Sequence, residues 1–185
     1  IGSGIAGASA ARALALNSGD DSRTITLYEI GRGPGGRAST RKTRAIPELR
    51  INHGTPYADI STEPGHDLVS ALGGVTEAYQ GVRVVVDGQT GESLARPHAV
   101  TERLITGADG EMANIAGAML EDAHGGLLPG ITTAYSSMVR GITRAEGGDA
   151  QWILSDKDGE ALGRADWLVV AGSGIAHPRW SATFG

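Results

Sequence analysis

The stretch IGSGIAGASAARALALNSG, residues 1–19, followed by TITLYE at 24–29, decides the fold. Gly2, Gly4 and Gly7 stand at G-x-G-x-x-G spacing, with Ala11 beyond the last of them. In such a motif the first glycine permits a tight turn, the second lets backbone approach a diphosphate, and the third lets a helix pack closely on a strand. The N–H groups that open the helix then face the anion. Small and apolar residues from Ile5 to Leu16 predict that helix, with Gly19, Asp20 and Asp21 as its stop. TITLYE alternates and holds β-branched residues, so it reads as a strand. Turn, helix and strand follow in the order of a βαβ unit whose first strand is reduced to Ile1.

Glycine spacing alone is a weak signal in a chain with 29 glycines, where a plain turn is the competing reading. Glu29 sharpens it. A carboxylate at the end of the second strand can accept hydrogen bonds from both ribose hydroxyls of a bound adenosine, and it disfavours a 2'-phosphate. The alternative is a solvated charge at a strand end.

Outward from Glu29 lies GRGPGGRASTRK, residues 31–42, where Arg32, Arg37 and Arg41 stand among close glycines. Arginines pair bidentately with phosphate oxygens, and Gly35 and Gly36 allow backbone to approach a ligand. A solvated basic surface loop is the bland reading, but two anion-binding features flanking one acidic ribose clamp suit an extended dinucleotide. Residues 31–57 as a whole read as an ordered loop.

GSGIAG, then YEIGRGPGGRASTRK, then INHGTPYADI resemble the renalase-like FAD-dependent oxidoreductases, a branch near the flavin amine oxidases. The resemblance implies FAD held by Gly2, Gly4, Gly7, Glu29, Arg32, Gly36 and Arg37. Arg41 is a further candidate, with structural pairing as its alternative. The third stretch departs from the family pattern, with Asn52 for the familiar Asp and Thr55-Pro56 for a small residue followed by Gln. His53 in that stretch is a candidate base, with loop positioning as the blander role. DGEMANIAGAMLE resembles the family segment that returns to the nucleotide domain. Met112 there stands either near the cofactor or in the core with Ile115 and Met119. ITTAYSSMVRGI resembles the strand whose backbone meets adenine, with Val139 the matched position. DWLVVAGSGIAHPRW resembles the strand and loop returning toward the flavin, and it holds His177 and Arg179.

Beyond these motifs, VRVVV at 82–86 reads as a strand followed by the turn DGQTGE, and residues 111–122 read as a helix ended by HGGLLPG. ITTAY, SMVRGITR, AQWILSD and ADWLVVAG are further strand candidates, with a turn at 157–159. The late hairpin-like strands predict an antiparallel layer added to the α/β unit. The expected fold is therefore α/β: a Rossmann-like FAD-binding βαβ domain with additional antiparallel strands, incomplete at both termini. The expected division is an FAD-binding segment over 1–57, an inserted or substrate-side region over 58–110, and, over 111–185, a return to the FAD-binding domain and the start of a following substrate-side region.

Composition narrows the function classes. A formal charge of -5 offers no basic face for nucleic acid. No apolar run reaches the ~18 residues of a membrane span. With no cysteine the chain holds no disulfide, thiolate nucleophile or Cys-ligated zinc, and no metal site is assigned. A cytoplasmic location is the default, with organellar targeting left open by the N-terminus expected to be missing.

What the resemblance implies is hydride transfer from a reduced organic substrate, such as a dihydronicotinamide isomer, to flavin, with reoxidation by oxygen. The catalytic side chains are left unassigned. Alternative readings are a flavin amine oxidase or desaturase-like enzyme, a nonenzymatic FAD-binding scaffold, and an NAD-only dehydrogenase, against which the arginine loop argues.

Overall fold

A computed structural model describes residues 1–17, 23–80, 82–93, 98–99, 104–145 and 151–172. In chain order the elements are α1 (Ile5–Leu16), β1 (Ile25–Tyr28), β2 (Thr40–Lys42), β3 (Arg50–Asn52), β4 (Ala58–Asp59) and α2 (Glu63–Ala71). They continue as β5 (Thr76–Ala78), β6 (Val82–Arg83), β7 (His98–Ala99), β8 (Leu104–Gly107) and α3 (Ala113–Ala118), then β9 (Ile131–Ala134), β10 (Gly141–Arg144), β11 (Trp152–Ser155) and β12 (Ala161–Ala165).

The predicted turn, helix and strand stand where the sequence puts them. α1 begins at Ile5, directly after the second fingerprint glycine, and its last turn is closed by Asn17, whose side-chain nitrogen donates to the Ala13 carbonyl at 2.8 Å. The predicted stop at Gly19, Asp20 and Asp21 lies outside the described residues. β1 pairs in parallel with β9, Ile25 opposite Ile131 through Tyr28 opposite Ala134. On its other side the Gly2 N–H donates to the Tyr28 carbonyl at 2.8 Å. Ile1 in turn donates from its nitrogen to Val169 at 2.6 Å and accepts from the Ala171 N–H at 2.9 Å. Residues 169–171, Ile1–Gly2, β1 and β9 thus lie side by side as a parallel layer, with the short Ile1 segment in its middle.

Alanines explain how closely the helix sits on this layer. Ala8 and Ala11 of α1 are buried and pack with Leu27 of β1 and Ile131 of β9 against Met112, Ile115, Met119 and Leu120. Burying each of the four larger side chains contributes about 1.5–3 kcal/mol, and small residues on α1 let the two helices approach. Met112 and Met119 are among the most deeply buried residues of the chain, so Met112 takes its core role.

The antiparallel layer is present as β10, β11 and β12, with Ile142 opposite Leu154 and Trp152 opposite Ala165. It is tied to the parallel layer by the Tyr28 hydroxyl, which donates to the Leu162 carbonyl at 3.0 Å. A second antiparallel sheet has the order β4, β8, β5, and two strand pairs, β2 with β3 and β6 with β7, complete the description.

Several elements differ from their sequence expectations. The loop 31–57 contains the β2–β3 hairpin, and the 58–110 region contains α2, capped by the Thr62 hydroxyl, which accepts the Gly65 N–H at 3.3 Å. The expected helix over 111–122 shortens to α3. Asp109 and Gly110, at φ 58° and 72°, turn the chain just before it, and the Leu120 N–H bonds back to Gly117 to tighten its end. Only Val82–Arg83 of VRVVV is strand; Val86 forms an isolated bridge with Ser93, and the turn between them is closed by the Asp87 carboxylate, which accepts from Gln89 and Thr90. ADWLVVAG is not a ladder strand; β12 ends at Ala165, and the apolar residues after it pair instead with Ile1. No helix among the described residues is long and apolar enough to cross a membrane.

Candidate functional site

The fingerprint glycines form the turn at which the parallel layer meets α1. Gly2 has φ 93°, a conformation costly for a side-chain-bearing residue, and a Cβ there would lie 3.1 Å from the Gly172 nitrogen. A Cβ on Gly7 would collide with the Gly2 carbonyl oxygen, so the third glycine sets the distance between helix and strand. The first N–H groups of α1 have no acceptor within the helix, and Ile5 and Ala6 are exposed there.

The arginine-glycine loop docks directly on this turn. The Gly35 N–H donates to the Ser3 carbonyl at 2.9 Å, Gly4 and Gly35 form a parallel bridge, and a Cβ on Gly36 would lie 3.1 Å from the Gly4 Cα. Gly35 and Gly36 sit at φ 124° and 55°. The two glycine motifs are therefore backbone to backbone, which no bulkier pair would allow.

Glu29 stands just past β1, only 8% exposed. Its Oε2 accepts the Ser3 N–H at 2.8 Å and the Ser3 hydroxyl at 3.2 Å, while Oε1 accepts the Gly31 N–H at 2.7 Å. A carboxylate offers about four acceptor positions, so three inner bonds fix the group and leave acceptor capacity for a ligand.

From Glu29 a cleft of about 1150 Å³ runs between the loop and α3. Arg32, Gly36 and Arg41 line it together with Glu29; Gly2, Gly4, Gly7, Arg37 and Val139 do not. The side chains of Arg32, Arg37 and Arg41 are exposed and have no hydrogen bond or ion pair among the described residues. Arg37 instead contributes backbone: its carbonyl accepts the Thr55 N–H at 2.9 Å, and a Cβ on Gly54 would collide with the same oxygen. Val139 is buried against Ile142 and Leu154 in the cluster that Ile1 and Tyr28 also join.

The opposite end of the cleft was not foreseen from sequence. Glu111, nearly buried, is held by Lys42 at 2.8 Å and by the Arg50 Nε at 2.5 Å. Burial by itself would raise the Glu111 carboxyl, but the hydrogen bonds and charges of Lys42 and Arg50 outweigh it and hold the group below its ordinary value. Asn52 is a structural anchor: its Oδ1 accepts from the Thr40 hydroxyl at 2.7 Å and the Met112 N–H at 3.2 Å, and its Nδ2 donates to the Gly110 carbonyl at 2.7 Å. His53 Nε2 lies 3.0 Å from the Ser39 hydroxyl, a partner set by the hairpin register that puts Thr40 opposite Asn52. No local signal links Glu111 to a lysine and an arginine so far away in the chain. His177, Arg179 and all of the second glycine cluster except Gly172 lie outside the described residues.

Residues 1–71 match the family model of an NAD(P)-binding Rossmann-like domain. The match spans the fingerprint, Glu29 and the arginine-glycine loop, and it makes the N-terminal region a Rossmann-like nucleotide-binding fold of the kind found in dinucleotide-binding oxidoreductases. No curated protein is significantly similar to the chain.

Proposed function

We propose that the chain is the nucleotide-binding part of an FAD-dependent oxidoreductase that takes a hydride from a reduced organic substrate. The observation that carries this reading is the cleft in which Glu29, fixed by Ser3 and Gly31, opens onto Arg32, Gly36 and Arg41. An adenosine ribose would bond to Glu29, and the diphosphate would lie by the α1 N-terminus and the Gly35–Gly36 backbone, where Arg32 and Arg37 have unengaged guanidinium groups. Gly33 and Gly74, both on the cleft lining, have no atom within 4 Å of where a Cβ would stand, so the cleft is open at these two points. In this reading residues 1–57 and the first part of 111–185 hold the cofactor, while 58–110 and the start of a following region at the end of 111–185 face substrate.

Bound FAD would supply the two-electron acceptor, with a dihydronicotinamide isomer as donor and oxygen as the reoxidant. The chain's own residues bind and orient: Glu29 the ribose, Arg32, Arg37 and the glycine backbones the diphosphate, and the Val139 segment the adenine. Lys42, fixed by Glu111, holds a positive charge at the far end, and His53 with Ser39 presents a proton-carrying pair there.

The family description also favours a second reading, a nicotinamide dinucleotide as the bound cofactor. The arginine loop, long enough to follow an extended ligand, favours FAD over it. An anaerobic visible-absorption titration separates the two. A bound flavin that bleaches with a dihydronicotinamide isomer and recovers in air supports the proposal, and bleaching by amines alone redirects the substrate class. Folded protein that takes up NAD(P) and cannot be reconstituted with FAD overturns it.

A further inference from the structure

We propose that Glu121, set across the cleft from Glu29, is a specificity-determining residue that admits dinucleotides with free ribose hydroxyls and rejects those carrying a 2'-phosphate. The inference rests on the dinucleotide reading above and adds a residue to it.

Glu121 and Glu29 line the same cleft, one on the α3 side and one on the loop side. The two walls run in opposite directions. Glu111 meets Lys42, the Ala113 N–H donates to the Thr40 hydroxyl at 3.2 Å, and further along α3 a Cβ on Gly117 would lie 4.0 Å from Pro34 Cγ. As the numbers rise on α3 they fall on the loop, so the residue after the helix reaches the Gly31 and Glu29 end. The Glu121 Oε1 lies 3.9 Å from the same Cβ position on Gly117, which turns the carboxylate toward the loop.

The charges around Tyr135 agree with this placement. The Tyr135 phenol just after β9 is pushed above its ordinary value, chiefly by burial and further by the charges of Glu121 and Glu29, against the lowering effect of a Thr133 hydrogen bond. Arg12 holds the strand turn that carries Glu121, with its Nη1 donating to the Glu121 and Ala118 carbonyls at 3.5 Å.

Glu29 fixes which hydroxyls are bonded, and Glu121 adds a second negative charge that a ribose hydroxyl tolerates and a phosphate of charge about -2 does not. Arg32 lines the same cleft and pulls the other way, as does Arg12, whose Nη1 meets the Glu121 carbonyl. The ionised carboxylates oppose these cations; with both neutralised the cations are left to attract the phosphate.

The test is calorimetric titration of the protein, freed of bound nucleotide, with ADP-ribose and with its 2'-phosphorylated form. Wild type is expected to favour ADP-ribose by about tenfold, and E121Q to narrow that ratio about threefold while keeping ADP-ribose affinity within about twofold. The double variant E29Q/E121Q is expected to favour the 2'-phosphorylated ligand. An unchanged ratio in E121Q, with ADP-ribose still bound and the melting temperature unaltered, overturns the assignment of Glu121. Failure of wild type to bind either ligand overturns the dinucleotide reading and this inference with it.

Discussion

The Glu29 carboxylate and Ser3 are joined twice, through the Ser3 N–H at 2.8 Å and the Ser3 hydroxyl at 3.2 Å. The end of β1 and the glycine turn are therefore one unit, and the same group that would bind ribose also organises the backbone that would face the diphosphate. Glu29→Gln keeps the shape but puts an amide where two donors converge. It is expected to weaken dinucleotide binding about tenfold or more and to cost about 1–3 kcal/mol of stability. Ser3→Ala removes only the hydroxyl bond and should cost about 1 kcal/mol. Calorimetry with ADP-ribose and urea unfolding of both variants measure the two effects.

A side chain on Gly7 has nowhere to go. Its Cβ would collide with the Gly2 carbonyl oxygen, which belongs to backbone already fixed by the Gly2 bond to Tyr28. Gly7→Ala is expected to destabilise by about 2–4 kcal/mol, despite the better helix propensity of alanine. Gly33→Ala, where no atom lies within 4 Å, is the control and should shift stability by less than about 1 kcal/mol. Thermal unfolding followed by circular dichroism separates them.

Glu111 joins the β2–β3 hairpin to the start of α3 through Lys42 and Arg50. Its carboxyl is held below the ordinary value in the folded protein, so its contribution to stability is complete above the unfolded value and is lost as pH falls through the folded one. Glu111→Gln is expected to cost about 1–3 kcal/mol at neutral pH, a range lowered by the solvent around half-exposed Lys42. The gap to wild type should be full at neutral pH and close at an acidic pH below the folded value of Glu111. Urea unfolding at both pH values tests the sign as well as the size.

How much of this was legible in the sequence depended on where each element's stabilisation comes from. α1 and β1 follow from local rules, because small residues, a glycine turn and alternation are all written within the segment. The β2–β3 hairpin was missed because Arg41, Lys42, Arg50 and Ile51 are exposed, leaving no alternation to read. It is held by Thr40, Asn52 and Glu111, polar ties to α3 that no window of neighbours contains. α2 is short and buries none of its residues, and the Thr62 cap with Pro64 in the first turn was a signal at its start. At the site, Glu29 and the glycines were legible because their chemistry is tied to fixed spacing. Glu111, Glu121 and the Ser39–His53 pair were not, since each depends on a partner brought in by the fold.

Gly117 and Pro34 face each other across the cleft between α3 and the loop. A Cβ there would stand 3.9 Å from the Glu121 Oε1 and 4.0 Å from Pro34 Cγ, ordinary contact distances, so alanine fits without moving either wall. Gly117→Ala should therefore fold as well as wild type or gain up to about 1 kcal/mol from helix propensity, with ligand affinity little changed. Leucine at the same place extends beyond Cβ into the gap between Pro34 and Glu121, and no core residue has to shift to admit it because Gly117 faces the cleft. Gly117→Leu is expected to keep its melting temperature within a few degrees and to lose dinucleotide affinity about tenfold or more. If the leucine variant binds ADP-ribose as tightly as wild type, the ligand does not pass between α3 and the loop. Binding would then belong on the face of the glycine turn alone.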